Sequence, residues 1–261
     1  MKLAIVGAGK MGGAVLVGAL KKKVVAKKEV GIYHPNPKRR EELAKYFEVN
    51  AIDESGIDKA DYVLIAVKPQ YFSDVAPLIA KRGGSYISLM AGVSAQTIAK
   101  RLGSKRVVRA MPNMGARIGL SATALAYLPQ ATKDDIQMAE KLFKSVGTVY
   151  HLSEKLFDPF TGLAGSGPAF AAIVAEAMAD GGVKVGFNRR TANELSRQVL
   201  LATAKLLENS DPAMLKNEVA SAGGTAITGV KTLEQHGLRI ALIEAIEAAS
   251  SRAAELSEGD R

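Results

Sequence analysis

Directly after a short apolar run, Leu3-Ala4-Ile5-Val6, the chain reads Gly7-Ala8-Gly9-Lys10-Met11-Gly12-Gly13. Glycines at this spacing between a strand and a helix suit a dinucleotide pyrophosphate. The first permits the tight turn, the second lets the backbone approach the anion, and the third allows close helix–strand contact. The N–H groups at the start of the following helix then point at the anion. Gly7, Ala8, Gly9, Lys10 and Met11 are therefore candidate cofactor contacts, the alternative being a glycine-rich turn without a ligand. An NAD site usually places Asp or Glu at the end of the second strand, on the ribose 2′-hydroxyl. Here Val30-Gly31-Ile32-Tyr33 runs into His34-Pro35-Asn36-Pro37-Lys38-Arg39-Arg40, with no carboxylate. Asn36 can donate to a phosphate oxygen, and Lys38, Arg39 or Arg40 can neutralise one. NADPH is the expected cofactor, with NADH as the alternative.

Other reactive side chains are sparse. There is no cysteine and there are three histidines, which excludes thiolate nucleophiles and Cys-ligated metals. His34, His151 and His236 read as surface or structural groups, and no His/Asp/Glu cluster has metal-ligand spacing. Lys68 follows an apolar strand, which favours a cofactor or carboxylate contact over a Schiff base. Gly165-Ser166-Gly167 opens a helix and has no histidine near it in sequence, so Ser166 is read as a helix start rather than a nucleophile.

These residues need a scaffold. Runs at Lys2–Val6, Val30–Tyr33, Tyr62–Val67, Tyr86–Met90, Arg106–Ala110, Ser121–Ala126 and Val149–Leu152 read as strands, several of them apolar throughout, as in a parallel sheet covered on both faces. A helix is expected over Lys133–Val146. After about Ser153 the strand-like runs stop and Ala-, Leu- and Glu-rich helices take over. Pro168 opens one that Gly181-Gly182 should stop. Asn188 caps another carrying Leu195, Val199, Ala202 and Leu206, and Asp211-Pro212 starts a third. The last spans about Leu238 to Leu256, with Ser257–Arg261 frayed. The expected organisation is an α/β, Rossmann-type dinucleotide-binding domain over residues 1–152, then an all-helical domain over residues 153–261. Its helices are apolar on more than one face, which calls for a second copy of the chain, the alternative being a compact monomeric bundle docked on the sheet domain.

A formal charge of +9, from 35 Lys+Arg against 26 Asp+Glu, invites a nucleic-acid reading. The cations are dispersed and no binding motif accompanies them, so neither nucleic acid nor membrane is an expected partner. No stretch approaches the roughly 20 apolar residues of a bilayer span. The N-terminal apolar run is too short for a signal peptide, and the expected location is the cytoplasm.

Six segments in order resemble the pyrroline-5-carboxylate reductase family: Gly7-Ala8-Gly9-Lys10-Met11, Ala66-Val67-Lys68-Pro69-Gln70, Met90-Ala91-Gly92-Val93-Ser94, Arg109-Ala110-Met111-Pro112-Asn113, Gly165-Ser166-Gly167-Pro168-Ala169 and Ser221-Ala222-Gly223-Gly224-Thr225. The resemblance runs from Lys2 to about Leu256. It implies a Rossmann-type domain, a helical dimerisation domain, and reduction of a cyclic imine carboxylate to L-proline by NADPH in a dimer or a multiple of dimers. It places Val67, Lys68 and Pro69 along the cofactor's ribose and phosphates, and Ala91, Gly92 and Asn113 near the nicotinamide. Ser221, Gly223, Gly224 and Thr225 would hold the substrate carboxylate at the dimer interface, with backbone N–H donors beside the glycines. Lys68 and Thr225 are the residues expected to act at the reacting centre. Two departures stand out: Met114-Gly115 replaces the family's Thr-Pro after Pro112-Asn113, and Ala226 stands where a threonine is usual. Thr225 or Thr228 could compensate, or the imine could differ. A β-hydroxyacid-type dehydrogenase and a non-catalytic NADP-binding protein are the remaining alternatives.

Overall fold

The computed structural model describes residues 1–80 and 83–258. By internal contacts the chain divides into two units, Met1–Gly165 with Ala249–Arg261, and Ser166–Ala248.

The first unit alternates strand and helix: β1 (Leu3–Val6), α1 (Lys10–Lys21), β2 (Val30–Tyr33), α2 (Pro37–Phe47), β3 (Asn50–Ala51), α3 (Glu54–Asp58), β4 (Tyr62–Ile65), α4 (Phe72–Ile79), β5 (Ser85–Ser88), α5 (Ala95–Leu102), β6 (Val107–Pro112), β7 (Ser121–Tyr127), α6 (Lys133–Lys144), β8 (Gly147–His151) and the short α7 (Phe157–Phe160). The sheet order is β3-β2-β1-β4-β5-β6-β7-β8. Among the described residues only β6 and β7 pair antiparallel. All four residues of β1 are buried, and successive side chains leave opposite faces. Leu3 and Ile5 enter the core with Leu16, Ile32 and Phe143; Ala4 and Val6 enter the other with Ile65, Phe72 and Ile98. Each fully buried aliphatic side chain contributes roughly 1.5–3 kcal/mol. Double-sided burial is why β1 shows no polar alternation.

Register then decides where chemistry can occur. Val6 lies opposite Tyr33 on one side and Ile65 on the other, so Gly7, His34 and Ala66 follow at one carboxyl rim, the usual place for ligands in an open α/β sheet.

The second unit holds α8 (Gly167–Lys184), α9 (Arg189–Leu206), α10 (Pro212–Val219), α11 (Thr225–Gln235) and the first part of α12 (Leu238–Glu258). Asn188 and Asp211 cap α9 and α10 by accepting from the Thr191 and Ala213 N–H groups. Within Ser166–Ala248 only Ala179, Ala192 and Ser196 are buried.

Several expectations need correction. The two-residue β3 was not foreseen. The glycine pair does not stop α8, which continues to Lys184. A Cβ on Gly182 would lie 3.1 Å from the Ala192 Cβ, so this glycine lets α9 approach rather than breaking the helix. Ser257 is not frayed: it is helical, and its hydroxyl donates to Asp158 at 2.9 Å; Gly259–Arg261 lie outside the described residues. Beyond the texture change at residue 153, the sheet unit as defined by internal contacts continues to Gly165. Phe157 is buried against Ala124 and Ala126 of β7, which ties α7 to the sheet. The helical run Glu154–Lys184 also has the length and apolarity of a membrane span, with 11% of its most apolar window buried, contrary to the expectation that no stretch came near.

Candidate functional site

The phosphate loop is shaped by what side chains would hit. Gly7 sits at φ +89°, and a Cβ there would lie 2.9 Å from Val67 Cγ1 and 3.0 Å from the Ala66 carbonyl. On Gly12 it would lie 2.7 Å from the Gly7 carbonyl oxygen, so α1 can press against the turn only with glycine there. Gly9 differs: a Cβ would meet nothing within 4 Å. Its missing side chain leaves the backbone open, not packed. Gly9 is also the N-cap of α1, with no side-chain cap bond and no acidic residue in the first turn. An open cradle at the positive end of a 12-residue helix fits a pyrophosphate.

At the end of β2, Asn36 Oδ1 accepts from the Arg39 N–H at 3.2 Å and caps α2, leaving the amide nitrogen as its donor. Lys38 and Arg39 are exposed on the first turn of α2, with Arg39 paired to Glu42 at 3.0 Å. Burial, and then the charge of Arg39, push the His34 imidazole below its usual range. It is neutral at pH 7 and adds no charge. Burial, reinforced by donation to Glu54 Oε1 at 2.7 Å, pushes the Tyr33 phenol up to about 12. With the buried phenol engaged by Glu54, what the strand end offers a ligand is the Asn36 amide and the Lys38 and Arg39 cations, which suit a phosphate better than a ribose hydroxyl.

Further along the rim, Val67 packs on Gly7, and exposed Lys68 is the N-cap of a single 3₁₀ turn at Pro69–Tyr71. Ala91 is exposed in the β5–α5 loop beside Gly92, whose φ is +77°. The Asn113 amide is engaged by the protein itself: Oδ1 accepts from the Gly115 N–H at 3.0 Å, and Nδ2 donates to the Ala164 carbonyl at 2.9 Å. Ala164 lies in the π-helical turn Thr161–Gly165, so Asn113 ties the end of β6 to that turn. A recess of about 1370 Å³ begins at Ala8, Gly9, Lys10 and Arg39, then follows the outer face of α1 toward Lys21 and Lys144; only its upper rim touches expected residues. The sequence reading missed Arg109 and Glu154, which form an ion pair of 2.7 Å beside the β5–α5 loop. Arg109 falls within the segment Arg109-Ala110-Met111-Pro112-Asn113, and nothing local marks either residue.

In the second unit Gly223 has φ +68° and Gly224 is the N-cap of α11, without a side-chain cap bond. The Gly224 N–H donates back to the Ser221 carbonyl at 3.1 Å, so that donor is engaged within the turn and the first turn of α11 supplies the donors beyond it. The Thr228 hydroxyl donates to the Gly224 carbonyl at 3.1 Å, which removes it as a substitute. Thr225 is exposed at the first position of α11.

Residues 154–256 match the family described as pyrroline-5-carboxylate reductase dimerisation, and residues 2–92 the family described as NADP oxidoreductase, coenzyme F420-dependent. A pyrroline-5-carboxylate reductase of Thermus thermophilus is 47% identical over 261 residues, 100% of each chain. The solved 1-pyrroline-5-carboxylate reductase of Streptococcus pyogenes superposes with a TM-score of 0.86 at 34% identity, covering 98% of each chain. The pyrroline carboxylate reductase of Plasmodium falciparum with NADP bound superposes with a TM-score of 0.84 at 25% identity, again over 98% of each chain.

Proposed function

The chain belongs to the pyrroline-5-carboxylate reductase family, and from that membership we propose that it reduces 1-pyrroline-5-carboxylate to L-proline with NADPH. The observation that carries this is the full-length match: at 47% identity neither chain has a part left over.

NADPH, when bound, supplies the hydride for the imine carbon. The protein holds and orients. The open backbone at Gly9 and the first turn of α1 take the pyrophosphate, with Ala8, Lys10 and Met11 around it, while Asn36, Lys38 and Arg39 take the 2′-phosphate. Val67, Lys68 and Pro69 border the ribose and phosphate path, and Ala91, Gly92 and Asn113 frame the nicotinamide end. The substrate carboxylate is held at the start of α11, where the Thr225 hydroxyl and the first-turn N–H groups converge. A cyclic imine takes up a proton readily, so positioning can supply most of the acceleration and no strong general acid is required. This agrees with a rim on which Lys68 is solvated and His34 neutral.

The matched dimerisation segment supports a homodimer or a multiple of dimers, in which a second copy rather than lipid covers the apolar helices. We assign the protein to the cytoplasm, a reducing compartment that suits a chain without cysteine. Expression in a proline-requiring bacterium that lacks its own reductase is expected to restore growth without proline. Failure to do so with soluble protein present would contradict the assignment.

A further inference from the structure

The β5–α5 loop, Leu89–Ser94, is fixed at both ends and open in its middle. At one end the Met90 N–H donates to Ser88 Oγ at 3.2 Å, and the Met90 carbonyl accepts from Arg109 Nη2 at 3.4 Å. At the other, the Ala95 N–H donates to Glu154 Oε1 at 2.8 Å. The same oxygen accepts from Arg109 Nη1 at 2.7 Å. Between these anchors Ala91 is exposed and Gly92 adopts a left-handed conformation. One carboxylate therefore holds the N-terminal end of α5 directly and the start of the loop through Arg109.

The arrangement concentrates its dependence on that carboxylate. The Arg109 side chain is 7% exposed and that of Glu154 33%. A buried guanidinium needs a paired anion, and the guanidinium is further fixed over the Phe157 ring, 4.7 Å from its centroid. The anion also sits at the positive end of the α5 dipole. Removing it leaves a buried cation unpaired, frees the Met90 carbonyl and uncouples Ala95, so both ends of the loop loosen together. The contacts of the pair run instead to Met90, Ala95 and Phe157.

We propose that Glu154 is a positioning residue for hydride transfer, which through Arg109 and Ala95 holds the Ala91–Gly92 loop where the nicotinamide must lie. This rests on the proposed reaction. A loop displaced by a fraction of an ångström misaligns the reacting atoms, while the pyrophosphate and 2′-phosphate contacts that dominate cofactor affinity stay intact. The effect therefore falls on kcat rather than on binding.

The test compares wild type, Glu154→Ala and Glu154→Gln for NADPH stoichiometry and Kd, by nicotinamide fluorescence, and for kcat and KM with pyrroline-5-carboxylate. Glu154→Ala is expected to bind NADPH with unchanged stoichiometry and a Kd within about twofold, yet to lose at least about tenfold in kcat. Glu154→Gln, whose amide oxygen still accepts from both donors but carries no charge, is expected to recover part of that loss. If Glu154→Ala does not fold, Arg109→Lys carries the same test, because an ammonium cannot hold both acceptors in the guanidinium's geometry. A kcat within about twofold of wild type, or a loss matched by an equal fall in NADPH-binding capacity, would overturn the role. A wild-type protein that binds NADPH but does not reduce the imine would overturn the reaction itself, and the role with it.

Discussion

On the proposed reading, a ribose 2′-phosphate meets side chains at the end of β2 that are cationic or able to donate, and three of them, Lys38, Arg39 and Arg40, follow one another at the start of α2. Replacing all three by Ala should reduce the preference for NADPH over NADH by about 1–3 kcal/mol, the lower end being favoured because Lys38 and Arg39 are solvated. Equal affinity of the two cofactors for the wild type would contradict the assignment. At the start of α11 a Cβ on Gly224 would lie 2.5 Å from Ser221 Oγ and 3.2 Å from the Ser221 carbonyl oxygen. Gly224→Val should therefore raise KM for the imine steeply and leave NADPH affinity nearly unchanged. Thr225→Ala should cost less, and Ala226→Thr should be tolerated and lower KM by up to roughly tenfold, the value of one hydrogen bond to a charged group. Unaltered imine kinetics in Gly224→Val would place the substrate elsewhere. The phosphate loop and the basic turn were legible in the sequence because each is a contiguous stretch with its own chemistry. The Arg109–Glu154 pair was not, since its partners are 45 residues apart and meet only after the sheet has formed.

Among the helices, α6 shows how an element is fastened. The Asp135 carboxylate has no exposed side-chain surface. It accepts from Arg106 Nη2 and Nε at 2.7 and 3.0 Å, from Ser85 Oγ at 2.7 Å and from the Thr132 N–H at 2.8 Å. Burial alone would raise its pKa, but these donors outweigh burial and hold it down at about 2 against an ordinary 3.8. Because the folded value is the lower one, the stabilisation is complete above the unfolded value and fades as pH falls from about 4 to about 2. Its size is about 2 kcal/mol. Asp135→Asn should be less stable to urea at pH 7 by a similar or somewhat larger amount, and its stability should change less than that of wild type between pH 4 and pH 2. Parallel pH curves for the two proteins would contradict this. Legibility followed the same division between local and distant causes. The Asn188 and Asp211 caps are local and were read correctly. The two-residue β3 has no periodicity to detect, and Gly181-Gly182 looked like a stop because its neighbour on α9 was out of view.

On the scale of the whole chain, the second unit has almost no interior of its own. Leu195, Val199 and Leu206, the stripe expected to be a packing face of α9, are each about half exposed in one chain, as are Leu201, Ile240 and Ile243. The helical pattern was readable from spacing, but what covers it was not, because a sequence does not state which copy supplies the other side. The protein should run as a dimer or larger by light scattering at micromolar concentration, and Leu201→Glu should weaken that assembly and lower Tm. A charge placed on a truly solvated helix face would change stability by only about 0.5 kcal/mol, so a monomeric wild type or an unaffected variant would contradict the assembly. Purified protein is to be mixed with NADPH and pyrroline-5-carboxylate, with the loss of nicotinamide absorbance and the proline formed both measured. The expected result is one proline for each NADPH consumed; tight NADPH binding with no proline formed, or oxidation of small hydroxyacids without imine reduction, would contradict it.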